Sequence, residues 1–160
     1  MPLASQRAAA MRRAIALSIE NVGAGLGGPF GAVIMRQGQT IASGVNQVTQ
    51  TNDPTAHAEI VAIRLACRKE KSFELRGCEL FTSCEPCPMC LAAAYWSRVD
   101  RIWFACTRED AAAGGFDDSF LYDELTLPIT DRHLPMKSLL RKEGLQAFAA
   151  WKASAVKIPY

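Results

Sequence analysis

Apolar residues recur at helical spacing from Ser5 to about Val22, in an alanine-rich segment that predicts a first helix with Ser5 as its N-cap. The run GAGLGGPFG, residues 23–31, ends that helix. It leads into a strand and no G-K-[ST] follows, so it is not a phosphate loop. GAVIMR and TIASGVNQV flank QGQ and read as a β-hairpin. The next segment, TNDPTAHAEIVAIRLACRKE, predicts a helix with Asp53 as N-cap and Pro54 in its first position. Ile60, Ile63, Ala66 and Cys67 form its inward stripe. CELFTS and RIWFAC read as strands, and PMCLAAAYW between them as a helix starting near Pro86 or Pro88. From residue 31 the order is strand, strand, helix, strand, helix, strand, then mostly helix and loop. That alternation predicts an α/β sandwich with helices on both faces of the sheet.

Composition narrows the class. No repeat, low-complexity tract or linker interrupts the 160 residues, so a single domain over 1–160 is expected. With 49% apolar and 21% charged residues, the chain can bury a core without staples. A net charge of +2 is too small to predict a surface for long nucleic acid. The clusters MRR (11–13), RKEK (68–71) and RK (141–142) read as solvated faces. Arg7, Arg12 and Arg13 interrupt the first segment before a signal-peptide core forms, and no run reaches transmembrane length. The expectation is a cytoplasmic protein with no membrane partner. In such a chain, clustered cysteines mean metal or redox chemistry more often than disulfides.

Three of the six cysteines fall in TSCEPCPMC, residues 82–90. Cys87 and Cys90 lie three apart at a predicted helix start, so they share a face, and a helix N-terminus favours their thiolates. Cys84 precedes Pro86 on the segment leaving the strand and is expected to be a structural thiol near the site. Of the two histidines, His133 sits in a loop-like stretch and reads as a surface residue. His57 is expected in the first turn of the helix opened by Asp53 and Pro54, with Glu59 two residues on. His57, Cys87 and Cys90 would supply three ligands to Zn²⁺ and leave the fourth position for water, as catalytic zinc sites do. Glu59 is the candidate base for that water's proton. An ideal helix points residues two apart to different sides, so Glu59 reaches the metal only if the metal sits end-on to the first turn. The competing arrangement is a structural knot in which Cys84 completes the shell, which would leave Glu59 without a task.

The pattern H-x-E…P-C-x-x-C is the signature of zinc nucleobase deaminases. GGPFGAVI (27–34), NDPTAHAE (52–59), TSCEPCPMC (82–90) and GFDDSFLYDE (115–124) give the chain its resemblance to the cytidine deaminase superfamily. Within it, the fourth stretch and the terminal Tyr160 resemble the small zinc guanine deaminases of bacteria. The resemblance implies a three-layer α/β/α cytidine deaminase-like sandwich with a central mixed sheet. It also implies a homodimer that swaps the C-terminal segment between subunits. It places Asn46 on the purine base by hydrogen bonding, Phe30 packed on the base, and Asp118 on the edge that bears the amino group. Tyr160 would come from the partner and cover the site. Each has a plainer role available: Phe30 in the core, Tyr160 in a tail, Asn46 in a turn, Asp117 and Asp118 as helix caps.

The reaction implied is hydrolysis of guanine to xanthine and ammonia at C2, with Glu59 carrying protons to N3 and to the departing amine, and Asp118 helping. The alternatives are a tRNA adenosine deaminase, which must extrude its target base, a cytosine or cytidine deaminase, and a non-catalytic zinc module. The weak net charge and GFDD count against the tRNA enzyme.

Overall fold

The structure is a computed structural model that describes residues 2–160. Its centre is a four-stranded mixed sheet in the order β2-β1-β3-β4. The strands are β1 (Gly31–Arg36), β2 (Gln39–Val45), β3 (Cys78–Cys84) and β4 (Arg101–Cys106). β1 pairs antiparallel with β2 and with β3, whereas β3 and β4 run parallel. The α/β expectation and the mixed sheet are both observed.

Strand alternation sorts the core into two layers. Ala32, Ile34, Cys78 and Leu80 pack against Ala58, Ala62, Ile63 and Ala66 of α3 (Ala58–Glu70) and Ala94 of α4 (Pro88–Trp96). Val33, Met35 and Phe81 face the other way, onto Ala10, Ala14 and Leu17 of α1 (Leu3–Gly23). At that second face Trp103 stacks on Phe81 with centroids 6.3 Å apart and donates to Glu79 Oε2 at 3.1 Å. Arg7 grips the same carboxylate through Nε and Nη2.

Two helix starts differ from expectation. α1 begins at Leu3 without a side-chain cap, and Ser5 lies inside its first turn, where its N–H donates to Pro2 O. α3 begins at Ala58 rather than at Pro54. Asp53 is already committed to a local turn, its Oδ1 accepting from Thr55 N–H and Oγ1 at 2.8 and 2.7 Å. A short α2 (Val48–Thr51) precedes that turn and ends at Asn52 in the left-handed region.

The chain divides into two compact units, the first ending at Ser119 and the second covering Phe120–Tyr160. α5 (Arg108–Ala113) opens on a Thr107–Asp110 capping box in the first unit. α6 (Ser119–Thr126) runs into the second, which adds a 3₁₀ turn (Ile129–Asp131) and α7 (Arg141–Ala153). None of the second unit's residues is buried. His133 is a surface residue there, its Nδ1 2.6 Å from Glu124 Oε1.

Candidate active site

Two helix starts and one strand end build the site. His57 is the N-cap of α3, with extended backbone (φ −67°, ψ 155°), and Cys87 is the N-cap of α4 (φ −63°, ψ 168°). Both therefore precede their helices, contrary to the expectation of first-turn positions. Pro88 suits the first position of α4, and Cys90 follows within its first turn, fully buried. The correction removes the helical-wheel difficulty with Glu59. His57 leaves from extended backbone, while Glu59 lies in the helix proper and is 6% exposed. Gly44 brings this helix start onto β2: a Cβ there would lie 2.5 Å from Ala58 O.

The structure brings His57, Cys87 and Cys90 together. His57 Nδ1 lies 3.5 Å from both Cys87 Sγ and Cys90 Sγ, and the three donor atoms lie within 4.8 Å of one another. Zn–S and Zn–N bonds of about 2.3 and 2.0 Å at tetrahedral angles imply an N···S edge of roughly 3.5 Å. The donors thus fit zinc in type, number and spacing. Among the described residues no fourth donor joins this cluster. Cys84 donates instead to Thr107 O at 3.4 Å, so the closed knot with Cys84 as fourth ligand is not formed.

Charge follows position. The Cys90 thiol, and His57 after it, hold Cys87 down to about 4 against its burial. Cys90 is pushed up, first by Cys87 and then by burial, so the protein alone keeps one thiolate and one thiol. The hydrogen bond to Cys87 raises His57. Burial raises Glu59, whose Oε1 accepts from Thr82 Oγ1 at 3.2 Å and whose Oε2 accepts from Cys90 Sγ at 3.5 Å. A buried carboxyl beside the trio, held by two donors, is placed to transfer protons.

Above the trio lies a cavity of about 590 Å³, within the usual range for small-ligand pockets. His57, Glu59, Phe30, Asn46 and Asp118 all line it. Asn46 follows β2 and is buried, its Oδ1 accepting from Val48 N–H at 3.3 Å. Gly27 approaches it so closely that a Cβ would stand 2.4 Å from Asn46 O. Asp117 Oδ1 caps the turn into α6 by accepting from Ser119 N–H at 2.9 Å. Asp118 is raised by burial and then by the Cys87 charge. Tyr160 belongs to the second unit and is 73% exposed. Trp96 is 65% exposed at the end of α4.

Four residues of this region escaped the sequence reading. Phe116 meets Phe30 edge-to-face at 5.0 Å, and its signal was its place in GFDD beside Asp118. Arg108 and Glu85 line the cavity, with Arg108 N–H donating to Glu85 Oε2 at 3.2 Å. Thr82, the hydroxyl behind Glu59, carries no local signal.

This fold, with a His-Cys-Cys cluster under a cavity and a buried carboxyl beside it, defines a zinc deaminase. The chain belongs to the cytidine and deoxycytidylate deaminase family, whose zinc-binding region matches residues 4–106. It is 50% identical to the guanine deaminase of Bacillus subtilis (strain 168) over 94% of this chain and 96% of that one. The X-ray structure of guanine deaminase from Bacillus subtilis superposes with a TM-score of 0.94 at 48% identity, over 100% of this chain and 99% of that one. A tRNA-specific adenosine deaminase from Aquifex aeolicus (strain VF5) is 42% identical, over 62% of this chain and 65% of its own. The crystal structure of NE0047 in complex with 2,6-diaminopurine superposes with a TM-score of 0.68 at 33% identity, over 92% of this chain and 72% of that one.

Proposed function

We propose that the protein is a zinc-dependent guanine deaminase, hydrolysing guanine to xanthine and ammonia. The observation that carries this reading is Asp118 on the wall of the cavity that also holds Glu59 and the ligand trio. The relatives support it: similarity to guanine deaminase spans 94% of the chain, against 62% for the tRNA enzyme. The bound purine analogue in NE0047 favours a purine base as ligand.

His57, Cys87 and Cys90 would hold the zinc ion, which when bound would polarise a water molecule for attack on the ring. Glu59 takes a proton from the attacking water, passes it to ring N3 and assists protonation of the departing amine. Asp118 accepts from N1–H and the exocyclic amino group, which guanine presents side by side and adenine does not. Polar complementarity of this kind rejects analogues better than an apolar pocket does. Asn46 hydrogen-bonds the purine, while Phe30, braced by Phe116, packs against its face.

Tyr160 covers the site from a partner subunit in a homodimer that swaps the C-terminal segment. Supporting this, the second unit has no buried residue of its own, and α4 exposes Tyr95 and Trp96. The location is the cytoplasm, whose reducing environment suits six free cysteines. Among the described residues no helix is long and apolar enough to cross a membrane.

The test is ammonia release from guanine, guanosine, adenine, cytosine, cytidine and a tRNA anticodon stem, with Glu59→Ala as control. Turnover of free guanine, lost in Glu59→Ala by about 10²-fold or more, is expected. Turnover confined to the tRNA stem would overturn the substrate assignment.

A further inference from the structure

The last residues of β3 and β4, Cys84 and Cys106, stand opposite each other in the parallel register. Neighbouring strands lie about 4.8 Å apart, inside the Cα separation of about 4.4–6.8 Å that a disulfide spans. Glu85 N–H donates to Cys106 O at 2.9 Å and fastens the two strand ends together. The Cys84 thiol donates to the carbonyl of Thr107, the residue after Cys106, so its sulfur is turned to the end of β4. Cys106 is exposed and Cys84 buried. Burial, and then Cys106 itself, push the Cys84 thiol up to about 11. Neither thiol has a part in the deamination chemistry.

We propose that Cys106 and Cys84 are a peroxide-responsive thiol pair, a modification site at the rim of the catalytic cavity. The exposed Cys106 meets the oxidant first. Its sulfur attacks one peroxide oxygen, the O–O bond breaks, water leaves, and Cys106 becomes a sulfenic acid. The Cys84 thiol then attacks that sulfur, the S–O bond breaks, and a second water leaves with the Cys84 proton. The two thiols have together lost two electrons and gained one S–S bond, and the peroxide has been reduced to water. Thiol reductant reverses the step. Cys84 lines the cavity, and its strand runs directly into the Glu85–Cys87 loop that delivers a metal ligand. Linking the pair therefore acts on the site.

The zinc-loaded enzyme would be treated with hydrogen peroxide, alkylated, and digested with trypsin without reduction. Cleavage at arginine places Cys84 in segment 77–98 and Cys106 in segment 102–108. The expected result is a species joining these segments, lighter by two hydrogens than their sum, from protein that runs as a single chain on a non-reducing gel. Turnover should fall and return with dithiothreitol. Cys106→Ser should keep its basal turnover, form no link and resist the treatment. Recovery of Cys106 alkylated, or as an unlinked sulfinic acid, would overturn the pair. So would a link that persists in Cys84→Ala, or one that joins two chains. Equal loss of turnover in Cys106→Ser would assign inactivation to the zinc thiolates and remove the control of activity.

Discussion

Thr82 Oγ1 donates to Glu59 Oε1 at 3.2 Å, from a side chain that is fully buried in β3 to one that is buried at the start of α3. The bond fixes one carboxylate oxygen of the residue proposed to move protons. Thr82→Val keeps the shape and removes the donor. One lost hydrogen bond of about 1–1.5 kcal/mol corresponds to roughly tenfold in rate. The variant should hold zinc, keep KM, and lose about that much kcat. An unchanged kcat with full zinc occupancy would show that Glu59 positions itself without Thr82.

Cys84 and Cys87 are three residues apart and chemically opposite, one thiol pushed up to about 11 by burial and the other held down to about 4. Cys87→Ala and Cys90→Ala should each lose zinc on dialysis, whereas Cys84→Ala should retain it, as read by metal analysis of the purified proteins. In chelator-stripped protein Cys87 stays a thiolate down to about pH 4, so its alkylation should vary little across neutral pH and slow only in acid. Cys84 should resist alkylation over the same range. Equal zinc loss in all three variants would restore the closed four-ligand knot.

Asp118 is proposed to read the N1–H and amino edge of guanine. Asp118→Asn replaces one acceptor oxygen with a donor while preserving shape. Hydrogen bonds to a charged group contribute about 1.5–3 kcal/mol, so kcat/KM for guanine should fall by about 10- to 100-fold with zinc content unchanged. The steady-state constants measure this, and an undiminished kcat/KM would return Asp118 to the role of a turn residue beside Asp117.

Tyr160 is 73% exposed in a unit without buried residues. Deleting the last few residues should leave the melting temperature nearly unchanged and lower kcat/KM, because the proposed cover over the site is lost. Mixing the truncated chain with an Asp118→Asn chain, denaturing and refolding together, should restore part of the activity if the segment is exchanged. No recovery in the mixture would place Tyr160 on its own chain's site or off the site altogether.

Much of the site was legible because its chemistry is local. A C-x-x-C with Pro88 inside it announces a helix start with two thiols, and H-x-E with few other donors names the third candidate ligand. GAVIMR and CELFTS were equally readable as strands, because they are short, largely apolar runs bounded by turn residues. The exact start of α3 was not. Asp53 and Pro54 are good cap chemistry, yet the Asp53 carboxylate closes on Thr55, and the helix begins where Gly44 lets its backbone meet β2. That contact makes His57 an N-cap, and so decides how His57 and Glu59 can serve one metal. The Thr82–Glu59 bond and the Cys84–Cys106 pairing join residues more than twenty positions apart. Local propensity carries no information at that separation. The packing of α3 on the sheet brings Glu59 to Thr82 and the parallel β3–β4 register brings Cys84 to Cys106, and both arrangements exist only once the sheet has formed.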